Sequence, residues 1–278
     1  SGSVKKMSGV LDVFTGKNLM QDGILPIPVT LPFKRPGGGP ALSEPYHALS
    51  QGTVRFVGQP VAIVVAESRE QALEAAECLE VEYQEYPAVT DLLEATKSEA
   101  PLLCSELPDN IAAYETLGNL QDVEEIFSNA HHVTRMELIN NRLVGSPLEP
   151  RGLICVSDPD DGKLILHASH QSATRLHGSL CSIFKFQPEQ LRVKVGDVGG
   201  GFGTKVTIYP EDILVVYAAK KLNRPIKWTA TRTEEFQASV HGRDHMNVAE
   251  LACDPEGRIQ ALRVKTLANT GAYLINPA

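Results

Sequence analysis

Gly199-Gly200-Gly201-Phe202-Gly203-Thr204-Lys205 places four glycines in one short piece of backbone. Glycine costs about 0.5–1 kcal/mol in regular structure, so such a run indicates a loop with a special task. Alternating apolar residues over Leu191–Val195 predict a strand before the loop. Pro210–Lys220, with acidic residues in its first turn, predicts a helix after it. This order commonly presents backbone N–H groups to an anionic ligand.

Two known phosphate-binding patterns do not fit the loop. A P-loop ends in Gly-Lys-Ser/Thr, whereas Thr204-Lys205-Val206 stands at that place. The dinucleotide fingerprint G-x-G-x-x-G fails because Thr204 occupies the position of its last glycine. On spacing alone, two alternatives stay open: a structural turn that lets strand and helix pack closely, and an unrelated nucleotide-binding loop.

The composition is that of a globular protein without a nucleic-acid surface. Its 26 Lys and Arg against 34 Asp and Glu give a net charge of −8. No apolar run reaches the length of a membrane span, and no signal peptide is visible at the start. Five widely spaced cysteines without a C-x-x-C pair predict free thiols in a reducing, cytoplasmic compartment and no iron–sulfur or zinc site in this chain.

Four segments carry a resemblance to a known family. Val198–Lys205 resembles the Gly-Gly-Gly-Phe-Gly-x-Lys loop of the xanthine dehydrogenase and aldehyde oxidase family, in its molybdenum-binding large subunit. The other three segments match family motifs in family order: Ser169-His170-Gln171 (Ser-x-Gln), Leu148-Glu149-Pro150-Arg151 (Met/Leu-Glu-Pro-Arg) and Gly58-Gln59-Pro60-Val61-Ala62 (Gly-x-Pro-Val-Ala). The resemblance runs over essentially the whole chain.

The resemblance and the local patterns together predict an α+β fold. A small α/β hammerhead-like domain is expected over 1–95, incomplete at its N-terminus, followed by a linker over 96–120. A partial, mixed α+β molybdopterin-binding domain is expected over 121–278. The chain is expected to stop inside this domain at Pro277-Ala278, as a natural half of a split subunit, an engineered fragment or an incomplete sequence.

Local patterns predict the individual elements. Helices are expected at 68–79, 122–129, 174–184 and 210–220, and the residues from Gly23 to Pro45 are expected to form a long loop. Strands are expected at 54–57, 61–66, 80–83, 132–139, 153–156, 164–168, 191–195, 226–229, 246–253 and 259–268.

The resemblance implies a molybdenum-pyranopterin cofactor, with the plain and the cytosine dinucleotide form both open. In the family the pterin dithiolene holds the metal, and the protein orients it. Gln171 is then expected to donate its amide N–H to an oxo ligand of the metal, and the backbone N–H of Phe202 to approach one as well, so both residues contact ligands of the metal and not the metal itself. The residues expected to bind the cofactor are Gln171, Gly200, Gly201, Phe202, Gly203 and Thr204.

The expected substrate pocket is formed by Phe202 and Val206. Xanthine-oxidising relatives carry Glu where Val206 stands, so the valine puts xanthine in doubt and favours an aldehyde or an N-heterocycle. The family's general base is a glutamate that is expected beyond Ala278, so no catalytic residue is expected in this chain. Glu149 is the first alternative for a base, but a disfavoured one.

The function implied is that of the large-subunit portion of a molybdenum hydroxylase. Such enzymes hydroxylate an aldehyde or N-heterocycle with oxygen from water and pass electrons to [2Fe-2S] and FAD carriers on partner subunits or domains. A complementary C-terminal half is also expected as a partner. The alternatives are a non-catalytic scaffold half, or a large subunit of the carbon monoxide dehydrogenase or benzoyl-CoA reductase type, which share this architecture.

Overall fold

The computed structural model describes residues 2–29, 33–35, 37–41, 43–104 and 107–275. Residues 30–32, 36 and 42 of the predicted long loop, and the predicted end at Pro277-Ala278, lie outside the described residues. The helices are α1 Gly16–Gln21, α2 Arg69–Glu77, α3 Leu120–Asn129, α4 Ala173–Phe184, α5 Pro210–Leu222 and α6 Arg232–Ala238. The strands are β1 Val10–Thr15, β2 Ala62–Ala66, β3 His132–Asn140, β4 Leu143–Val144, β5 Gly152–Ser157, β6 Leu164–Ala168, β7 Leu191–Lys194, β8 Ile226–Thr229, β9 His241–Gly242, β10 His245–Cys253 and β11 Ile259–Ala268.

The chain divides into two compact units, each built from separate segments. Among the described residues, the first unit takes 2–29, 44–86 and 145–240, and the second takes the rest. The predicted α+β class is confirmed, because both units combine small sheets with helices. The predicted domain limits at residues 95 and 120 stay a prediction.

A four-stranded mixed sheet forms the centre of the first unit, in the order β7-β6-β5-β8. Strands β6 and β7 are parallel, and α4 connects them, whereas β5 is antiparallel to both β6 and β8. Helix α5 packs on this sheet and is almost wholly buried from Asp212 to Ala219, so it forms the middle of the core. The carboxyl ends of β6 and β7 therefore lie at one edge, together with the beginning of antiparallel β5.

An antiparallel pair of strands, β1 and β2, with α2 packed against it, completes the first unit. Ser68 begins α2 in the predicted capping box, since its hydroxyl accepts from Gln71 N while Gln71 accepts from Ser68 N. Val4, Val13 and Ala75 form a small core there.

Two predicted strands, one before β2 and one after α2, are absent from the described residues. At 54–57 the chain turns instead, because Arg55 N donates to the Gln59 side chain and Gln59 N donates to Phe56 O. Residues 80–83 form no strand and pair with none of the described strands, and their side chains are exposed. Alternation predicts extended backbone, whereas a strand also requires a hydrogen-bonding neighbour.

The second unit contains a three-stranded antiparallel sheet in the order β11-β10-β3. Helix α3 packs on β11, where Arg263 contacts both Glu124 and the ring of Phe127. Side chains alternate between faces, so Leu262 and Val264 point away from Arg263. The register puts Leu262 opposite Leu251, and Val264 and Met136 on either side of Ala249. The open apolar face consists of Met136, Leu138, Leu262 and Val264, which are 46–59% exposed.

None of the described helices combines the length and the apolar character that a membrane-spanning helix needs.

Candidate functional site

The glycine loop, Gln171 and Glu149 meet at the edge where β6 and β7 end. Gln171 lies in the short turn between β6 and α4, just before Ser172, which caps α4. The loop follows β7, and Glu149 precedes β5. The sheet topology thus explains why segments distant in sequence lie together, since neighbouring parallel strands bring their carboxyl ends to the same edge.

Each glycine of the loop is needed for one of two reasons. Gly200 and Gly203 have φ of +96° and +85°, a conformation that L-residues rarely adopt. Gly199 and Gly201 permit close approach, because an added Cβ would lie 2.6 Å from Cβ of Glu149 and 2.4 Å from Cδ of Gln171 respectively. At Gly203 an added Cβ would meet no described atom within 4 Å, so within this chain the backbone angle is what requires glycine.

Gln171 is tied to the loop by its backbone and its side chain. Its N–H donates to Lys205 O at 2.8 Å, and its Oε1 accepts from Gly203 N and Lys205 N, both at 3.1 Å. With Oε1 occupied in this way, the amide Nε2 is turned away from the loop backbone. No described residue accepts a hydrogen bond from it.

Two loop N–H groups are also unpaired among the described residues, those of Gly201 and Phe202. Phe202 has φ of +50°, and its ring is 76% exposed, so it is not a core side chain. The Thr204 hydroxyl is buried and donates to Gly201 O at 2.8 Å, so it closes the loop on itself. Its predicted contact with a cofactor stays a prediction.

The unpaired donors fit a bound group that carries oxygen and negative charge. The amide Nε2 of Gln171 and the N–H groups of Gly201 and Phe202 are neutral donors, and such donors stabilise oxo or phosphate oxygens. The glycines leave the backbone without side chains that would keep such a group at a distance. The residues present are therefore compatible with molybdenum-pyranopterin, the cofactor implied by the sequence.

A buried lysine lies directly beneath the loop. The Lys205 side chain is fully buried, and Nζ donates to Glu149 O at 2.7 Å, to Ser169 Oγ at 2.8 Å and to Glu149 Oε2 at 3.2 Å. Glu149 Oε2 also accepts from Gly199 N and from Ser169 Oγ. We call Lys205, Glu149 and Ser169 the lysine clamp.

The clamp argues against Glu149 as a general base. Partial burial alone would raise the pKa of Glu149, but hydrogen bonds from Gly199, Lys205 and Ser169 outweigh it, so the pKa lies below its ordinary value. A carboxylate with a lowered pKa and three donors on one oxygen is a poor proton acceptor near neutral pH. Glu149 is thus a structural carboxylate in this geometry.

A second buried cation, Arg151, joins β5 to two helices. Its Nη1 donates to Glu211 on α5 and its Nε to Glu235 on α6, both at 3.1 Å, and its guanidinium lies 3.8 Å from the centre of the Tyr209 ring. Arg151 therefore holds the beginning of β5 against α5 and α6. Burial raises the pKa of Asp212, on α5, to about 7.

His170 stands between Ser169 and Gln171 and is buried. Its Nδ1 accepts from Ser172 N at 2.9 Å, which places the ring proton on Nε2, 3.1 Å from Thr207 O. Burial lowers the pKa of His170, so the neutral ring is favoured. No group of three or more metal-binding side chains occurs in the part of the chain that the structure describes.

The sequence predicted Gln171 and the glycine loop, but assigned no role to Lys205, Ser169 or Arg151. The sequence did hold a signal for them. The two motifs that carry the family resemblance contain one acidic and two basic residues, Glu149, Arg151 and Lys205, which could pair with one another. Lys205 and Glu149 are 56 positions apart, and no local pattern predicts such a contact.

Val206, predicted for the substrate pocket, ends a single 3₁₀ turn, Thr204–Val206, and is half-buried.

Comparisons with known proteins identify the family. Residues 104–278 match the family model of the molybdopterin cofactor-binding domain. Residues 2–87 match that of the aldehyde oxidase and xanthine dehydrogenase a/b hammerhead domain. The chain belongs to this family of molybdopterin-binding oxidoreductases, which confirms the predicted family and cofactor.

Individual relatives agree as well. The chain is 33% identical over 82% of its length to the nicotine 6-hydroxylase large subunit of Paenarthrobacter nicotinovorans, covering 28% of that protein. It is also 33% identical over 81% of its length to the carbon monoxide dehydrogenase large chain of Hydrogenophaga pseudoflava, covering 30%. The structure of quinoline 2-oxidoreductase from Pseudomonas putida 86 superposes with a TM-score of 0.81, at 29% identity, over 95% of this chain and 33% of that one. The chain thus spans about a third or less of each relative's length.

Proposed function

We propose that this chain forms the cofactor-orienting part of the large subunit of a molybdenum hydroxylase. The observation that carries the proposal is the orientation of Gln171, whose Oε1 is held by two loop N–H groups so that its amide Nε2 is left to donate. The unpaired N–H groups of Gly201 and Phe202 add two more donors. Together they form a neutral, oxygen-binding surface at one sheet edge.

Molybdenum-pyranopterin, when bound, supplies the two-electron oxidation of the substrate with oxygen taken from water. The chain's own residues orient that group. Gln171 and the loop N–H groups hold its oxygen atoms, and they do so without adding charge. The exposed ring of Phe202 is an apolar wall that excludes water and accommodates a planar or apolar substrate.

An aldehyde or an N-heterocycle is the proposed substrate class. Xanthine-oxidising members of the family carry Glu at the position of Val206. The valine side chain has no hydrogen-bonding group, so a purine would lose a hydrogen bond there. The name of one relative states that it hydroxylates nicotine and that of another structure that it oxidises quinoline, both N-heterocycles. A second candidate is a carbon monoxide dehydrogenase-type large subunit, supported by 33% identity to such a chain.

Partner polypeptides are part of the proposal. Electrons would leave through an iron–sulfur subunit and an FAD subunit, or equivalent domains, and further large-subunit polypeptide would complete the site. The open apolar face supports such a partner, because four exposed apolar side chains on one sheet face favour burial. If no complementary polypeptide supplies the base, the chain is a non-catalytic scaffold half. Five free cysteines fit a cytoplasmic location.

The test is cofactor extraction and metal analysis of the natively purified protein with its bound subunits. We expect about one molybdenum and one pterin per chain, and oxidation of aldehydes or N-heterocycles with an artificial electron acceptor. Turnover of carbon monoxide alone would favour the second candidate. Absence of both molybdenum and pterin from a folded preparation would contradict the proposal.

A further inference from the structure

The glycine loop is held at both of its ends by the same residue, Lys205. Its backbone N–H and C=O bond the side chain and backbone of Gln171, next to the loop's end. Its side chain reaches back to Glu149, whose carboxylate holds Gly199 N at the loop's beginning. A shift of the Lys205 side chain therefore displaces both ends of the loop.

The three donors of the Lys205 ammonium group all have acceptors, the carbonyl and carboxylate of Glu149 and the hydroxyl of Ser169. A fully buried ammonium without partners is strongly unfavourable, so this arrangement tolerates little displacement. Glu149 is additionally paired with the loop through Glu149 N and Gly199 O, at 3.2 Å. The clamp is thus a rigid connection.

Arg232 holds the same segment from α6. Its Nη1 donates to Pro147 O at 2.8 Å and its Nη2 to Leu148 O at 2.9 Å. The segment that carries Glu149 is therefore fixed on both sides of its acid, by Arg232 before it and by the clamp at it. Such a fixed acid, with a lowered pKa, serves to position the loop and not to transfer protons.

We infer that Glu149 and Lys205, with Ser169 between them, are positioning residues that set the direction of the Gln171 amide and of the loop N–H donors. They act through Gln171 and the loop and touch no substrate. The inference rests on the proposed function for the identity of the bound group. The positioning itself is a property of this chain and is measurable without activity.

The experiment compares Glu149→Gln, Ser169→Ala and Ser169→Thr in the natively purified protein. Hydrogen exchange is followed by mass spectrometry on peptides covering 169–172 and 196–206, with α5 as the internal reference. The matched control is Lys163→Met, which breaks an exposed ion pair with Asp161 in the turn between β5 and β6. The Mo(V) spectrum and the molybdenum content are recorded on the same samples.

We expect Glu149→Gln to raise loop exchange about tenfold while α5 keeps its protection, because only the loop loses its anchor. Ser169→Ala should give a smaller increase in loop exchange. Ser169→Thr should leave loop exchange at the wild-type level because it keeps the hydroxyl. The Mo(V) signal should shift in the same order. Lys163→Met should change none of these quantities.

Unchanged loop exchange in Glu149→Gln would overturn the inference, as would equal loss of protection in α5 and the loop, which indicates a merely structural role. An altered loop with an unaltered Mo(V) spectrum would also overturn it, since the donors would then not be positioned by the clamp. If wild-type protein holds no molybdenum, the proposed function fails, while the exchange data still decide whether the clamp orders the loop.

Discussion

The glycine loop of the first unit and the three-stranded sheet of the second differ in how they satisfy their surface groups. Around the loop, buried charges are paired within the chain, and the donors left over point to one place. On the sheet, Met136, Leu138, Leu262 and Val264 form an exposed apolar face. The first region is therefore suited to a small ligand, and we propose that the second binds another polypeptide surface. The following predictions test this contrast.

The largest effect is expected from removing the second buried cation, Arg151. Arg151→Met should lower the free energy of unfolding by about 3–5 kcal/mol, because Glu211 and Glu235 would remain buried without their partner. Urea unfolding of the natively purified protein measures this loss. Arg258→Met removes an exposed arginine and should change stability by less than about 0.5 kcal/mol. Equal effects of the two variants would contradict the buried pairing.

A pH-dependent effect is expected from His170. Because burial lowers its pKa below 6.5, the unfolded chain binds this proton more readily, so the stabilising contribution is complete above pH 6.5 and is lost as pH falls. Asp212, whose pKa is raised to about 7, contributes a slope of opposite sign. Comparison with His170→Asn cancels that second slope. Wild type should lose up to about 1.4 kcal/mol per pH unit more than the variant between pH 6.5 and 5.

The measurement is urea unfolding at pH 7.5, 6.5, 5.5 and 5.0 for both proteins. Parallel stability curves for wild type and His170→Asn would show that the ring titrates normally and is not the buried neutral acceptor described above.

Two glycines of the loop are expected to differ in their effect on cofactor binding. Gly203→Ala should cost about 1 kcal/mol of stability, since a φ of +85° strains a residue that has a Cβ. Gly201→Ala should cost a similar amount, because its Cβ would displace the Gln171 amide from its hydrogen bonds with Gly203 N and Lys205 N, and it should lower the molybdenum content more. Thermal unfolding and metal analysis of the two variants provide the comparison. Equal molybdenum content in the two variants would contradict the orientation of Gln171.

The smallest effect on stability is expected on the open apolar face. Leu262→Lys with Val264→Lys should change the unfolding free energy by less than about 0.5 kcal/mol for each substitution, because both side chains are more than half exposed. Association with partner polypeptides should nevertheless be lost, as size-exclusion chromatography of the purified complex would reveal. Glu256→Lys, in the exposed turn between β10 and β11 and outside this face, is the control. A complex that survives the double substitution would contradict the assignment of this face.

Local pattern predicted much of the fold. Strands β6, β8 and β11 have the predicted limits, and α4 and α5 begin within one residue of prediction. These elements have strong apolar periodicity or a clear first-turn signal. The strands predicted at 54–57 and 80–83 were wrong because pairing depends on a neighbour that periodicity does not specify. The segments that form β1 and α1 were assigned no structure, although a threonine–asparagine cap links them.

The candidate site was predictable in its motifs and not in its connections. The glycine run and Gln171 were singled out by resemblance, and the structure brings them within hydrogen-bonding distance. The partners of Lys205 and Arg151 were missed because they lie 36 to 84 positions away and depend on sheet topology. The expectation that the base glutamate lies outside this chain stays a prediction.

The bond between Lys205 and Glu149 has an evolutionary consequence. The two residues belong to motifs that lie far apart in the sequence, but the charge of the buried Lys205 is balanced by Glu149. A substitution of either residue alone therefore leaves the other charge without its partner. Substitutions at the two positions are therefore expected to occur together among homologous chains, as a coupled pair replaced by two neutral residues. In a homologue that has lost one of the two charges, a second substitution that removes the other charge would be needed to restore an ordered loop.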